Sequence, residues 1–242
     1  MKKNIPLEIS LFSLQSTSMA AIEALKALYD FYDALTERLS TACRPGCTTC
    51  CSVNVSITSL EAVYLKKHVS LANQQLRKRI AAVQLRPHFI PSLTTNRLAR
   101  HCLQQQDPPE EQGIHAPGQC PLLSSTGLCH VYANRPFACR AMLSTKRCQI
   151  GGEAIMAPFI FTINLAVYQL IEHLDFPGTS GNMLDMLEGC GHNTVVNTAL
   201  PGFLVTAGER TAFHHFLKRI KNYPVGSRRL ADYFPPQTFS VQ

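Results

Sequence analysis

The sequence is poor in carboxylates, with 16 Asp and Glu in 242 residues, and none falls into a paired pattern suited to general acid–base work. Its nine histidines are scattered, with no H-E-x-x-H spacing that would place two metal ligands and a base on one helix face. There is no G-x-x-x-x-G-K-[ST] phosphate loop, no G-x-S-x-G elbow, and no strand followed by G-x-G-x-x-G. These absences argue against the common hydrolases, phosphotransferases and dinucleotide enzymes. The start, "MKKNIPLEISLFSLQSTSMA", has Glu8 and Gln15 where a secretory leader would have a continuous apolar run, so a cytoplasmic protein is expected. The longest uncharged stretch, Ala154 to Ile171, contains Pro158, Asn164 and Gln169 and is flanked by Glu153 and Glu172, which suits a buried helix better than a membrane span. Internal repeats and long low-complexity tracts are missing as well.

What the sequence has in abundance is cysteine. There are ten, and eight fall into two clusters. The first, "CRPGCTTCC", holds Cys43, Cys47, Cys50 and Cys51, two of them adjacent. The second, "CPLLSSTGLCHVYANRPFACRAMLSTKRC", holds Cys120, Cys129, Cys139 and Cys148. In a reducing compartment such clusters bind metal rather than forming disulfides. Cys102 and Cys190 stand apart and read as plain thiols, and Cys190-Gly-His192 is a weak ligand pattern. Pro136 suits a helix's first turn, which would place Cys139 near a helix N-terminus where backbone N–H groups lower a thiol's pKa. Arg135 and Arg140 flank it as candidate donors to metal-bound sulfur.

The remaining pattern is mostly helical. Ile22, Leu25, Leu28, Tyr29, Tyr32, Leu35 and Leu39 recur at helical spacing over Met19–Leu39. "SVNVSI" alternates as a short strand, and Thr58 to Glu61 has the form of a capping box, predicting one helix from there to about Leu85. Gln104 to Gln119 reads as a mobile loop. Helices are expected again over Ala154–Ile171, around Asn182–Leu187, and over Glu209–Asn222, the last of these basic. The fold class is therefore mainly α: an irregular helical domain with cysteine-rich metal-binding loops and at most a few short strands. Residues 1–152 form the expected metal-binding domain, and 153–242 a helical extension packed on it or continuous with it.

The combined pattern C-x3-C-x2-C-C, then "CPLL", G-x-C-x-V-Y-x-x-R-P-x-x-C-R and a final cysteine, resembles the YkgJ or CxxCxxCC family of zinc- or iron-chelating domains. The resemblance runs from Cys43 to Cys148 and implies that all eight clustered cysteines are metal ligands. Tyr132, Arg135, Pro136 and Arg140 match the rest of its motif, so Tyr132, Arg135 and Arg140 are expected around the bound group. Many members have two residues between the first pair, where this chain has three, which makes Cys43 the least secure ligand. Neighbouring residues rarely share a metal, so Cys50 and Cys51 are expected to point to different places. Four-sulfur sites suit Zn²⁺ and iron–sulfur clusters equally.

A redox or protein-maturation role with an iron–sulfur cluster, of [4Fe–4S] type, is the first reading, with zinc as the alternative. The motif is also similar to one in flagellin lysine N-methyltransferases, which implies an S-adenosylmethionine-dependent enzyme as a second reading. A zinc-stabilised interaction module is a third. A protein partner or protein substrate is expected. The net charge of +7 counts cysteines as neutral; eight thiolates on two divalent ions or two doubly charged clusters would leave roughly +3, which removes the motive for nucleic acid binding.

Overall fold

A computed structural model describes the chain except residues 1–6, 45, 70–73, 112–115, 150–152, 190–192 and 240–242, with side chains described from residue 19 onward. The described residues include eight α-helices and five short strands, and the mainly helical class read from the sequence holds. Helix α1, Leu7–Thr36, ends close to the predicted point. Its stripe Leu25, Leu28, Tyr29 and Tyr32 is almost wholly buried. It packs on α6, Pro158–Leu174, and α8, Arg210–Lys221. Pro158 occupies the first turn of α6, where its missing N–H costs nothing. Phe137, Val167, Leu170, Phe213 and Ile220 complete this first core. Among the described residues no helix is long and apolar enough to cross a membrane.

A second core lies beside it. Val53, Val55 and Ile57 alternate inward as predicted, although only Ser56–Thr58 pairs as strand β1. Thr58 then caps α2, Ser59–His68, with both bonds of the capping box formed. The single helix expected up to Leu85 is instead two, α2 and α3, Gln74–Gln84. The chain leaves helical geometry at Val69, in the stretch His68-Val-Ser-Leu-Ala-Asn73, where Val, Ser and Asn are weak helix formers. An unpredicted helix follows, α4, Thr95–Leu103. Thr94 caps it locally, accepting from Arg97 N–H (3.3 Å), a signal present in the sequence that the helical reading passes over. Glu172 of α6 accepts from the two preceding N–H groups, Thr95 (2.6 Å) and Asn96 (2.7 Å), across the fold.

Strand β2, Thr179–Asn182, pairs antiparallel with β1 on one side and with β3, Thr194–Val196, on the other. Helix α7, Met183–Glu188, begins at β2's end, with Asn182 as its N-cap. Asn182 also donates to the carbonyls of Val53 (2.9 Å) and Phe89 (2.8 Å). The sheet and the first core thus both join residues from either side of Gly152. Helix α5, Phe137–Ala141, lies between the two cores, and a two-stranded ribbon, β4 (Pro224–Val225) and β5 (Arg228–Arg229), follows α8.

Asp175, at the end of α6, accepts from Ser59 Oγ (2.7 Å) and Asn197 Nδ2 (2.9 Å), tying α2 and the segment after β3 to one carboxyl. Burial pushes its pKa up to about 6, against the help of those hydrogen bonds. The folded protein therefore holds this proton more tightly than the unfolded chain, whose carboxyl titrates near 3.9. That contribution is complete below about pH 4 and is lost as the pH rises through about 6, a loss of about 3 kcal/mol. Asp175→Asn should accordingly flatten the fall in urea stability between pH 4.5 and 7. An unchanged slope would assign it to other groups.

Candidate metal centre

The two cysteine segments, some seventy residues apart, pair directly. Cys120 N–H donates to Cys51 C=O (3.0 Å), and Val53 N–H to Gly118 C=O (3.2 Å). The first segment reaches this point through tight turns, Cys47 N–H to Arg44 C=O and Cys51 N–H to Thr48 C=O, each 3.0 Å. Ser52 N–H to Cys50 C=O, also 3.0 Å, folds the chain again immediately afterwards. The second segment forms a small hairpin in which His130 N–H donates to Leu122 C=O (3.0 Å) and Leu123 bridges Cys129. Its turn needs Gly127, whose φ of +78° disfavours other residues. Arg79 of α3 fastens the hairpin by donating to the Leu123 carbonyl.

Cys139 sits in the first turn of α5, as Pro136 suggests. Buried Glu61 fixes that helix: its Oε1 accepts from Phe137 N–H (2.8 Å) and Tyr29 O–H (2.6 Å). Its Oε2 accepts from Thr58 N–H (2.9 Å) and Oγ1 (3.2 Å). One carboxylate thus joins α1, the start of α2 and the helix carrying Cys139. The capping-box pattern exposed Glu61 in the sequence, but only as a local cap.

Seven of the eight clustered cysteines, all but Cys148, line one cavity of about 110 Å³. Its remaining walls are mostly apolar, from Val55, Leu122, Leu123, Val131 and Met183, and the second core closes behind them. Among the described residues no three His, Cys, Asp or Glu are grouped closely enough to hold a metal ion, so the thiols surround the space rather than meet at a point. Cys148 stands outside the lining but within electrostatic reach of Cys43. Cys102 is exposed on α4, away from the cavity. Cys190 and His192 lie outside the described residues.

The thiols differ in environment. Burial raises Cys120 to about 11 and pushes Cys139 well above the ordinary thiol value, with Cys120, Cys129 and Cys50 adding to the effect on Cys139. The lowering expected at a helix N-terminus is thus reversed at Cys139, because a five-residue helix offers few free N–H groups against desolvation among other sulfurs. Cys50 and Cys51 do not diverge as expected. The successive turns bring both to the cavity, where the Cys51 thiol donates to Cys50 sulfur. That bond, helped by Arg135, pulls Cys50 down to about 6 and raises Cys51, which keeps the shared proton. In metal-free protein, alkylation by iodoacetamide between pH 5 and 7 should therefore begin at this pair and rise with a midpoint near 6. Arg135→Gln should move the midpoint upward; a wild-type midpoint near 8.5 would remove the shared-proton arrangement.

Arg135 and Tyr132 both line the cavity, with the guanidinium 4.1 Å from the Tyr132 ring centroid and donating to the Tyr132 carbonyl (3.0 Å). Arg140 does not line it. Buried, it donates to the carbonyls of Arg135 (2.9 Å) and Ala133 (2.7 Å) and to Asp33, and stacks on Tyr29 at 4.4 Å. It fastens the loop carrying Arg135 to α1. Asp33 had no mark in the sequence, since its partner is 107 positions away.

A helical frame with a thiol-lined cavity in one of its cores defines a cysteine-clustered metal-binding protein. Residues 42–155 match the model of the CxxCxxCC family, described as "Putative zinc- or iron-chelating domain". Comparison with curated proteins and with solved structures gave no match.

Proposed function

We propose that the cavity holds an iron–sulfur cluster of [4Fe–4S] type and that the protein has a redox or protein-maturation role. The observation that carries this reading is the cavity itself, about 110 Å³ ringed by seven cysteines. Four thiolates close on a single Zn²⁺ at about 2.3 Å and need no such space. A space of about 110 Å³ is several times what one water needs and suits a polyatomic group. Cys51, Cys120, Cys129 and Cys139, all packed in or against the second core, would supply the inner ligands. Cys43, Cys47 and Cys50 stand nearer solvent at the mouth, with Cys148 close to Cys43.

A cluster held here would supply one-electron transfer. The chain's own contribution is to exclude water with the apolar walls and to balance the negative charge of thiolates and cluster with Arg135. The Cys50–Cys51 pair offers a thiolate at neutral pH and so a first point of capture.

The test is the absorption spectrum together with iron, zinc and acid-labile sulfide content of protein purified without oxygen. Matched iron and sulfide with visible absorption is the expected result. Stoichiometric zinc without sulfide would overturn it in favour of a structural metal.

A further inference from the structure

Along α6 lies a second cavity, of about 720 Å³, lined almost wholly by residues beyond the segment that matches the family, Leu103 excepted. This is an ordinary size for a ligand site. Its walls include Leu103, Phe161 and Leu165, and one side is the extended stretch Ala199-Leu-Pro-Gly-Phe-Leu-Val205. That stretch is anchored at two points. Leu200 N–H donates to His173 Nδ1 (3.3 Å), and Gln169 Nε2 donates to the Gly202 carbonyl (2.8 Å). Beyond Gly202 the anchoring stops. Phe203, Leu204 and Val205 make no backbone hydrogen bond among the described residues, although all three are half-buried and the chain is extended.

Half-buried backbone without partners is served by water, and any apolar occupant that displaced the water would strand it. An extended peptide replaces that water bond for bond, as in strand addition to an open edge. Charge narrows the occupant further. Arg210, at the start of α8, lines the cavity, is exposed and forms no ion pair among the described residues. The adjacent Glu209 carboxylate is held by Thr162 (3.0 Å) and Thr206 (2.8 Å). His173, also in the wall, is kept toward its neutral form by burial. Among the described residues, the permanent charge lining the space is therefore positive.

We propose that this cavity docks an extended peptide segment of a partner protein, apolar at alternate positions and carrying a carboxylate that meets Arg210. The segment lies along Phe203–Val205 and takes up their N–H and C=O groups. Its apolar side chains enter the space between Phe161 and Leu165.

The probe is a display library of random octapeptides with free carboxy termini, selected on the full-length, metal-loaded protein. Expected are enriched sequences with alternating apolar residues and an acidic side chain or terminal carboxylate. N-methylation at alternate peptide nitrogens should weaken a selected sequence at least tenfold. Arg210→Gln should weaken it at least threefold, and a peptide without its carboxylate should lose the same factor on wild-type protein. Leu204→Pro, which removes one N–H, should also weaken binding if its circular dichroism is native; the N-methylated peptide serves on wild-type protein if it is not. Failure of any sequence to enrich, indifference to N-methylation, or tighter binding of dodecanoate that displaces the peptides would overturn the proposal.

Discussion

Cys139→Ser lowers bound metal at least fivefold and the melting temperature by about 10 °C, whereas Cys102→Ser changes neither. Cys139 is packed at the cavity wall among Cys120, Cys129 and Cys50, while Cys102 is exposed on α4. A structural metal contributes folding free energy directly, because the unfolded chain does not offer its ligands together. Losing roughly 4 kcal/mol of it corresponds to about 8–16 °C in a chain of this size. Cys120→Ser belongs with Cys139→Ser, since Cys120 is the most buried cysteine of the second segment and its N–H holds the two segments together. Metal analysis and a thermal scan on the three variants, prepared without oxygen, suffice. Equal metal loss in Cys102→Ser and Cys139→Ser would detach the cavity from metal binding.

Glu61→Gln costs about 3–5 kcal/mol in urea unfolding and reduces metal content as well. The carboxylate is 4% exposed and accepts four hydrogen bonds from three different donor residues. An amide turns two of its own donors toward one of those pairs, leaving buried N–H or O–H groups facing N–H. Since Phe137 N–H is among them, the change loosens the first turn of α5 two residues before Cys139. Its effect on metal follows from position rather than from ligation. A stability loss with full metal retention would show that the cysteine loops hold themselves. A loss below about 1 kcal/mol would show that water replaces the carboxylate.

Much of the frame is legible along the chain. The stripe from Ile22 to Tyr32, the capping box at Thr58, Pro158 opening α6 and the basic α8 are local or short-period signals; α6 and α8 form close to where their patterns place them, α2 starts where its capping box puts it, and α1 contains its stripe but begins at Leu7, twelve residues before the expected Met19. The misses have different causes. Helix α4 carries a local cap, Thr94, that is there to be read, and Glu172 of α6 adds to it across the fold. Arg140 spends its charge on Asp33 of α1, a partner outside any window that periodicity can read. The segment after α2 contains no Pro or Gly and mixes the weak helix formers Val69, Ser70 and Asn73 with the strong ones Leu71 and Ala72, so no single residue announces the break.

For the metal centre, the sequence by itself determined the donor chemistry: clustered soft thiols in two segments, with an arginine and a tyrosine beside them. Only the tertiary structure decided that those segments pair through Cys51 and Cys120, and that Cys50 and Cys51 share one cavity. It also decided that Arg135 faces this cavity while Arg140 braces the loop behind it. The physical reason is that donor type is a property of a residue, whereas burial, hydrogen-bond partners and proton affinity belong to surroundings assembled from distant parts of the chain.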